Sequence, residues 1–334
     1  MELDELIPRL GAFAQAKYED PAARVSDVHK MPGHAGFSYG FTVTSHDTRE
    51  SWYLRLPPPN VRWVGTADVL RQVAALRALE GSSVPHCEVR WSGDDLEHFG
   101  RPYFVVPKLD GAVVGFAETS WVDGLDAETR ASMARQAMIA LAKIHRVNPG
   151  RAEYLGPPVP FVEDVKRWDR FMPKVADPER LRLVPEVRSL LLAGLPEGAR
   201  VGIFHGDFQW SNVFYDPGGT LLAVIDWELT GIGATLNDVG WIATFNDPEA
   251  WSPEREPTGV MPLADELVEL YREAWGEELR SLEWFRALAA YKFAIISGFN
   301  LGLHRRGRRP DPTWEQTALS IEPLLERARS LLSG

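Results

Sequence analysis

The residues whose types and spacing suit chemistry are concentrated between Val201 and Trp241. The apolar run Val201-Gly202-Ile203-Phe204 reads as a short buried strand leading into His205-Gly206-Asp207, and Asn212 follows Asp207 by five positions. A second run, Leu221 to Ile225, delivers Asp226 and is joined to Val213-Phe214-Tyr215 by Asp216-Pro217-Gly218-Gly219, a composition that favours a tight reversal. The hairpin brings Asn212 and Asp226 to the same end. An Asp, an Asn and, beyond a hairpin, a second Asp are the groups phosphoryl transfer requires. Asp207 would align an acceptor hydroxyl and take its proton, while Asn212 and Asp226 would hold Mg2+, a hard cation that takes oxygen ligands and bridges nucleotide phosphates. No covalent intermediate is needed.

Any one of these residues alone is an ordinary turn former or helix cap; it is their order and the hairpin that favour catalysis. Histidine is the side chain that titrates nearest neutrality, which makes His205 a candidate general base. Glu228 is either a third acid near the metal or a helix-start residue.

The elements that must position this set read as two lobes, since 334 residues exceed the usual size of one compact core. Residues 1 to 20 have Leu3, Leu6, Ile7, Leu10 and Phe13 at helical spacing. Strands are expected at Arg24–Val28, Phe41–Thr44, Trp52–Leu56, His86–Trp91 and Tyr103–Val106. The Gly33–Gly40 stretch between the first two is a glycine-rich turn whose backbone N–H groups can approach a phosphate. Asp68–Leu79 reads as a helix with one apolar face. After Asp110-Gly111 the chain turns helical: a helix with His145 on its buried face ends at Val147-Asn148-Pro149, and a helical pair is expected over Val162–Leu191. Three more helices are expected at Leu263–Trp275, Ser281–Leu303 and Trp314–Leu332. The proline- and acid-rich Phe245–Pro257 stretch reads as a surface loop or a substrate lid.

Composition narrows the class. Hydrophobic residues make up 45% and charged residues 25% of the chain, as in ordinary globular proteins. A formal charge of -11 argues against a nucleic-acid partner, and the short run His304–Arg309 reads as a helix cap. Cys87 is the one cysteine, so neither an intrachain disulfide nor a cysteine metal cluster is available. No secretory signal or bilayer span is legible, which leads to the expectation of a cytoplasmic monomer or homodimer with no membrane partner.

Arg55, Leu141-Ala142-Lys143-Ile144-His145, Arg167-Trp168, HGDFQWSN, IDWE and Asn237-Asp238-Val239-Gly240-Trp241 fall in one order over most of the chain. In that order the sequence resembles the aminoglycoside phosphotransferase family, the kinase-like enzymes that also include choline and other small-molecule kinases. The resemblance implies an α+β, two-lobed protein-kinase-like fold, with a small antiparallel-sheet lobe over residues 1–108 and a larger, mainly helical lobe over 109–334. It implies an ATP or GTP co-substrate and a small-molecule hydroxyl acceptor, with an aminoglycoside, a macrolide, a choline-like amine or a sugar all open. By the same resemblance Arg55 stands in the place of a phosphate-pairing strand lysine, and Gly36 and Ser38 belong to the phosphate loop. Val106, Pro107 and Leu109 form the hinge that reads adenine, His205 is structural, and Asp238 anchors the catalytic loop. Gln72 occupies the position of the usual Glu partner of the strand cation, and a contact between Gln72 and Arg55 is expected there. This departure keeps open a nucleotide-binding pseudokinase, and the carboxylates alone keep open a metal-dependent phosphohydrolase.

Overall fold

Strand-forming runs in the first third of the chain pair as one antiparallel sheet in the order β1-β2-β3-β5-β4. Its strands are β1 (Arg24–Lys30), β2 (Ser38–Ser45), β3 (Thr48–Arg55), β4 (Trp91–Gly93) and β5 (Tyr103–Pro107). The computed structural model describes residues 1–31, 37–115, 120–254 and 260–333, so Gly36 and the first half of the expected glycine-rich turn, residues 33–36, lie outside the described residues, as do 255–257 of the expected lid. Helix α1 (Leu3–Lys17) lays Leu6, Leu10 and Phe13 on the sheet. With Phe41, Trp52, Leu54, Tyr103 and Val105 these side chains form the small lobe's core.

Helix α2 (Val69–Leu79) starts where Asp68 accepts the Leu70 N–H at 3.0 Å, an N-cap bond. Its apolar face joins a second, larger core that includes Phe104 and Val106 of β5 and extends through the helical lobe. Thus α2 is built into both lobes. The strand expected at His86–Trp91 begins only at Trp91. Just before that segment, the Pro85 carbonyl accepts the Val224 N–H at 3.0 Å, so the chain enters it held by the second lobe and rejoins the sheet only where the Arg90 N–H donates to the Val105 carbonyl at 2.9 Å. Cys87 is half-buried there, and burial pushes its thiol up to about 11.

In the second lobe, α3 (Ser120–Asp123) precedes α4 (Ala127–Arg146), which Asp126 caps by accepting the Thr129 N–H at 2.7 Å. β6 (Ala112–Val113) pairs with β8 (Val213–Tyr215), which pairs with β9 (Leu221–Val224). β7 (Val201–Phe204) pairs with β10 (Gly231–Ala234), a strand that the sequence reading omitted. The helical pair expected over Val162–Leu191 is interrupted: α5 (Phe161–Lys166) and α6 (Val184–Ala193) are separated by 3-10 turns at Asp169–Lys174 and Pro178–Leu181. Pro173 and Pro178 account for the break, since each removes a helix donor.

Helix α4 packs against β7 and β9, and helices α7 (Leu236–Phe245), α8 (Ala264–Trp275) and α9 (Leu282–Arg305) complete the lobe, α7 packing on both α8 and α9 and α8 on α4. The helix expected at Trp314–Leu332 is split into α10 (Thr313–Thr317), a 3-10 turn and α11 (Ile321–Ser333). Pro323 lacks the N–H that would continue α10 across this junction. Among the described residues no helix is long and apolar enough to cross a membrane.

Candidate active site

β7 ends at a loop that the side chains of Asp238 and His205 hold in place. Gly206 has φ +90°, and a Cβ there would lie 2.3 Å from the Leu229 carbonyl oxygen, so the loop can pass only as glycine. Asp238, wholly buried on α7, accepts the His205 N–H through Oδ2 at 2.7 Å and the Gly206 N–H through Oδ1 at 2.8 Å. Its Oδ2 also lies 3.0 Å from His145 Nε2, and His145 Nδ1 is 2.8 Å from the Tyr271 hydroxyl. Burial raises the Asp238 carboxyl, but the His145 bond and charge, the His205 ring and the Gly206 N–H outweigh it and hold the group below its ordinary value.

His205 is also buried. Its Nδ1 accepts the Asp207 N–H at 3.3 Å, which leaves Nε2 to donate to the Ile225 carbonyl at 2.8 Å. With both nitrogens bound, the ring joins the Asp207 loop to the chain leading into Asp226. This geometry is that of a fixing residue and leaves no nitrogen for proton abstraction.

The Asp207 carboxylate is surrounded by donors. Trp241 Nε1 donates to Oδ1 at 2.8 Å, Gln209 Nε2 to Oδ1 at 3.0 Å, and Asn212 Nδ2 to Oδ2 at 3.0 Å. Burial nevertheless raises its pKa, assisted by Asp226, against the His205 ring and the bonds from Trp241 and Gln209. Asn212 Nδ2 donates as well to the Asp207 carbonyl at 2.8 Å, which identifies the nitrogen and turns the amide oxygen away. The Asn212 carbonyl accepts the Ile225 N–H at 2.9 Å, so Asn212 sits beside the residue before Asp226.

Asp226 itself is exposed and has φ +59° and ψ +66°, a left-handed conformation that a non-glycine residue rarely adopts. The amide oxygen of Asn212 and the carboxylate of Asp226 are hard oxygen donors not spent on other described residues, a set that suits Mg2+. Sequence reasoning assigned no role to Gln209 or Trp241, although both lie within the quoted motifs.

Across the cleft, Arg55 is buried at the end of β3. Its Nη1 donates to Ser38 Oγ at 2.8 Å, and Ser38 Oγ also accepts the Tyr53 hydroxyl at 2.6 Å. Its Nη2 donates to Glu228 Oε2 at 2.8 Å. The expected contact with Gln72 is not formed. Gln72 points inward and is buried, but its Nε2 has no hydrogen-bond partner. Burial, then Asp226 and Asp207, push the Glu228 carboxyl up to about 7 against the opposing charge of Arg55.

At the hinge, β5 pairs with β3 as far as Pro107 opposite Trp52, and Lys108 N–H donates to Ser51 at 2.9 Å. Val106 is buried, Pro107 is exposed, and the Leu109 N–H bonds no other described residue. A Cβ on Gly111 would lie 2.1 Å from the Tyr215 carbonyl oxygen, so the hinge closes tightly onto β8. Arg167 and Trp168 belong to a separate cluster around the buried Asp164: Arg167 Nη2 lies 2.7 Å from Asp164 Oδ1, and its guanidinium stacks 5.3 Å above the Trp168 ring. The basic run at the end of α9 is tied to the protein, Arg305 pairing with both Asp177 and Glu315 and Arg306 donating to the Lys174 carbonyl.

A small antiparallel sheet, a hinge and a helical lobe with an Asp-x4-Asn loop facing a second Asp define a kinase-like phosphotransferase. The chain belongs to the phosphotransferase enzyme family (APH), whose model matches residues 36–288. Among solved structures it is similar to a Ralstonia eutropha protein assigned as an aminoglycoside phosphotransferase, with TM-score 0.76, 18% identity and 98% of each chain covered. It is also similar to a thermostable mutant of aminoglycoside phosphotransferase APH(4)-Ia in ternary complex with ADP and hygromycin B. That match has TM-score 0.57 and 15% identity, covering 96% of this chain and 98% of the other. Among curated proteins, mouse acyl-CoA dehydrogenase family member 11 is 24% identical over 99% of this chain, which spans 45% of the mouse protein.

Proposed function

We propose that the protein transfers the γ-phosphoryl group of ATP, or GTP, to a hydroxyl of a small molecule. The observation that carries this reading is the Asp207 carboxylate, gripped by Trp241, Gln209 and Asn212 on a loop that Asp238 and His205 fix from behind. A half-buried carboxylate with a raised pKa is suited to receiving a hydroxyl proton, and the bonds around it set its direction. Asp207 orients the acceptor oxygen and accepts its proton as the phosphoryl group arrives. Arg55, with Ser38 beside it, holds phosphate oxygens, and its guanidinium stays charged in the cleft. Val106, Pro107 and Leu109 present main-chain groups to the base. Asn212 and Asp226 would hold Mg2+, which when bound supplies charge neutralisation at the phosphates.

Two acceptor classes follow from the relatives. The phosphotransferase structures point to aminoglycosides, whereas the curated relatives are named for acyl-CoA chemistry and favour a hydroxylated acyl-CoA thioester. The match to the mouse protein over nearly the whole chain gives the second class the first place in a screen. The test is ADP release with Mg2+ and ATP across hydroxyacyl-CoA thioesters, aminoglycosides, macrolides, amino alcohols and sugars, with phosphorylated product identified by mass spectrometry. Acceptor-dependent ADP release with a phosphorylated acceptor is the expected result. Free phosphate without product would make the protein a phosphohydrolase. Nucleotide binding without turnover would make it a pseudokinase.

A further inference from the structure

The strand arginine takes its carboxylate partner from the far side of the cleft. Arg55 ends β3 in the small lobe, and Glu228 follows β9 in the large one, 173 residues later. Helix α2 is the element placed to offer such a partner, and its inward polar residue is Gln72, uncharged and with its Nε2 unbonded. The Glu228 turn is well anchored. The left-handed Asp226 reverses the chain, Trp227 is buried with Nε1 donating to the Val224 carbonyl at 3.0 Å, and the turn packs against α2. Glu228 is thereby aimed at Arg55 Nη2 while Ser38 Oγ, itself held by the Tyr53 hydroxyl, takes Nη1.

We propose that Glu228 is the positioning residue for Arg55, taking the place that a carboxylate on α2 would otherwise fill, and that it locks the phosphate-holding arginine to the Asp226 turn. The proposal rests on the function argued above. Glu228 acts through Arg55: with Nη2 on the carboxylate and Nη1 on Ser38, the guanidinium plane is fixed before a nucleotide arrives, which lowers the cost of ordering it on binding. Because Glu228 lies two residues beyond Asp226, the same contact sets the distance between the arginine and the cation-holding end of the hairpin. Sequence distance hides the pair, and only the closed cleft reveals it.

The alternative role for Glu228 is a third metal-holding acid acting independently of Arg55, and a double-mutant cycle separates the two. The dissociation constant of AMP-PNP with Mg2+ is measured by calorimetry for the full chain and for Arg55→Gln, Glu228→Gln and the double variant, each with its thermal unfolding midpoint. Each single change is expected to weaken binding about tenfold, the scale of one charge-assisted hydrogen bond. The double variant is expected to bind no more weakly than Arg55→Gln. Should Glu228→Gln fail to fold, Glu228→Asp replaces it in the same cycle with the same expectation, its carboxylate one methylene too short to reach. Losses that multiply in the double variant overturn the proposal, as does a Glu228→Gln affinity within twofold of the unchanged protein. A wild-type chain that binds no nucleotide overturns the proposed function and this assignment together.

Discussion

Asp238 shows how a buried side chain can set the geometry of a loop it does not belong to. Its two oxygens accept the His205 and Gly206 N–H groups, and Oδ2 also bonds His145. Its pKa is depressed in the folded protein, so its stabilisation is present above the ordinary carboxylate value, about 4, and is lost as the pH falls through the lower folded value. Asp238→Asn is expected to cost about 3 kcal/mol at neutral pH, because it removes the charge and leaves one loop N–H facing an amide N–H. The difference from the unchanged protein should shrink from pH 5 towards pH 3. Urea unfolding across that range checks this, and a pH-independent difference would contradict it. The motif that carries Asp238 was legible in the sequence, as were Asp207, Asn212 and Asp226, because local spacing and the hairpin place them. Trp241 as a donor to Asp207 was not legible, since nothing in a tryptophan's own neighbours says where its N–H will point.

At the scale of elements, α2 was read correctly as a helix from its apolar spacing, but its partner was misread. The expected Gln72–Arg55 contact assumed that the inward residue of α2 must serve the strand cation. The fold supplies Glu228 instead, leaving Gln72 as a buried amide with an unsatisfied nitrogen. An unpaired buried donor costs about 1–3 kcal/mol. Gln72→Met, which keeps the length and removes the donor, is therefore expected to raise stability by about 1 kcal/mol in equilibrium denaturation. A loss of stability would show that the amide has a partner which sustains it. The segment 86–90 was misread for a similar reason: its residue types favour a strand, but a backbone bond from Val224 to Pro85 draws the chain entering it to the other lobe. β10 was missed because Gly231-Ile232-Gly233-Ala234 has one strand-forming residue, Ile232, among glycines and an alanine, and its pairing with β7 makes it a strand.

Over the whole molecule, the two lobes meet along a line that the sequence could indicate only by a hinge. Two cores form, one under the small sheet and one through the helical lobe, and α2 is part of the second. The cleft between them is crossed by the Arg55–Glu228 pair on one side and by the Val106–Gly111 hinge on the other. The broken helical stretch between α5 and α6 packs against α9, and its prolines override helical periodicity, so this region was less legible in the sequence than the Asp207 loop.

The most direct test of the account follows γ-32P from labelled ATP into the acceptor identified in the screen, comparing the unchanged protein with Asp207→Asn. The account predicts that label transfer falls by about three orders of magnitude, within the range for loss of a positioned general base, while AMP-PNP binds within about threefold of its original affinity. Label transfer at a comparable rate in the variant would contradict it, and Asp207 would then not be the group that takes the acceptor's proton.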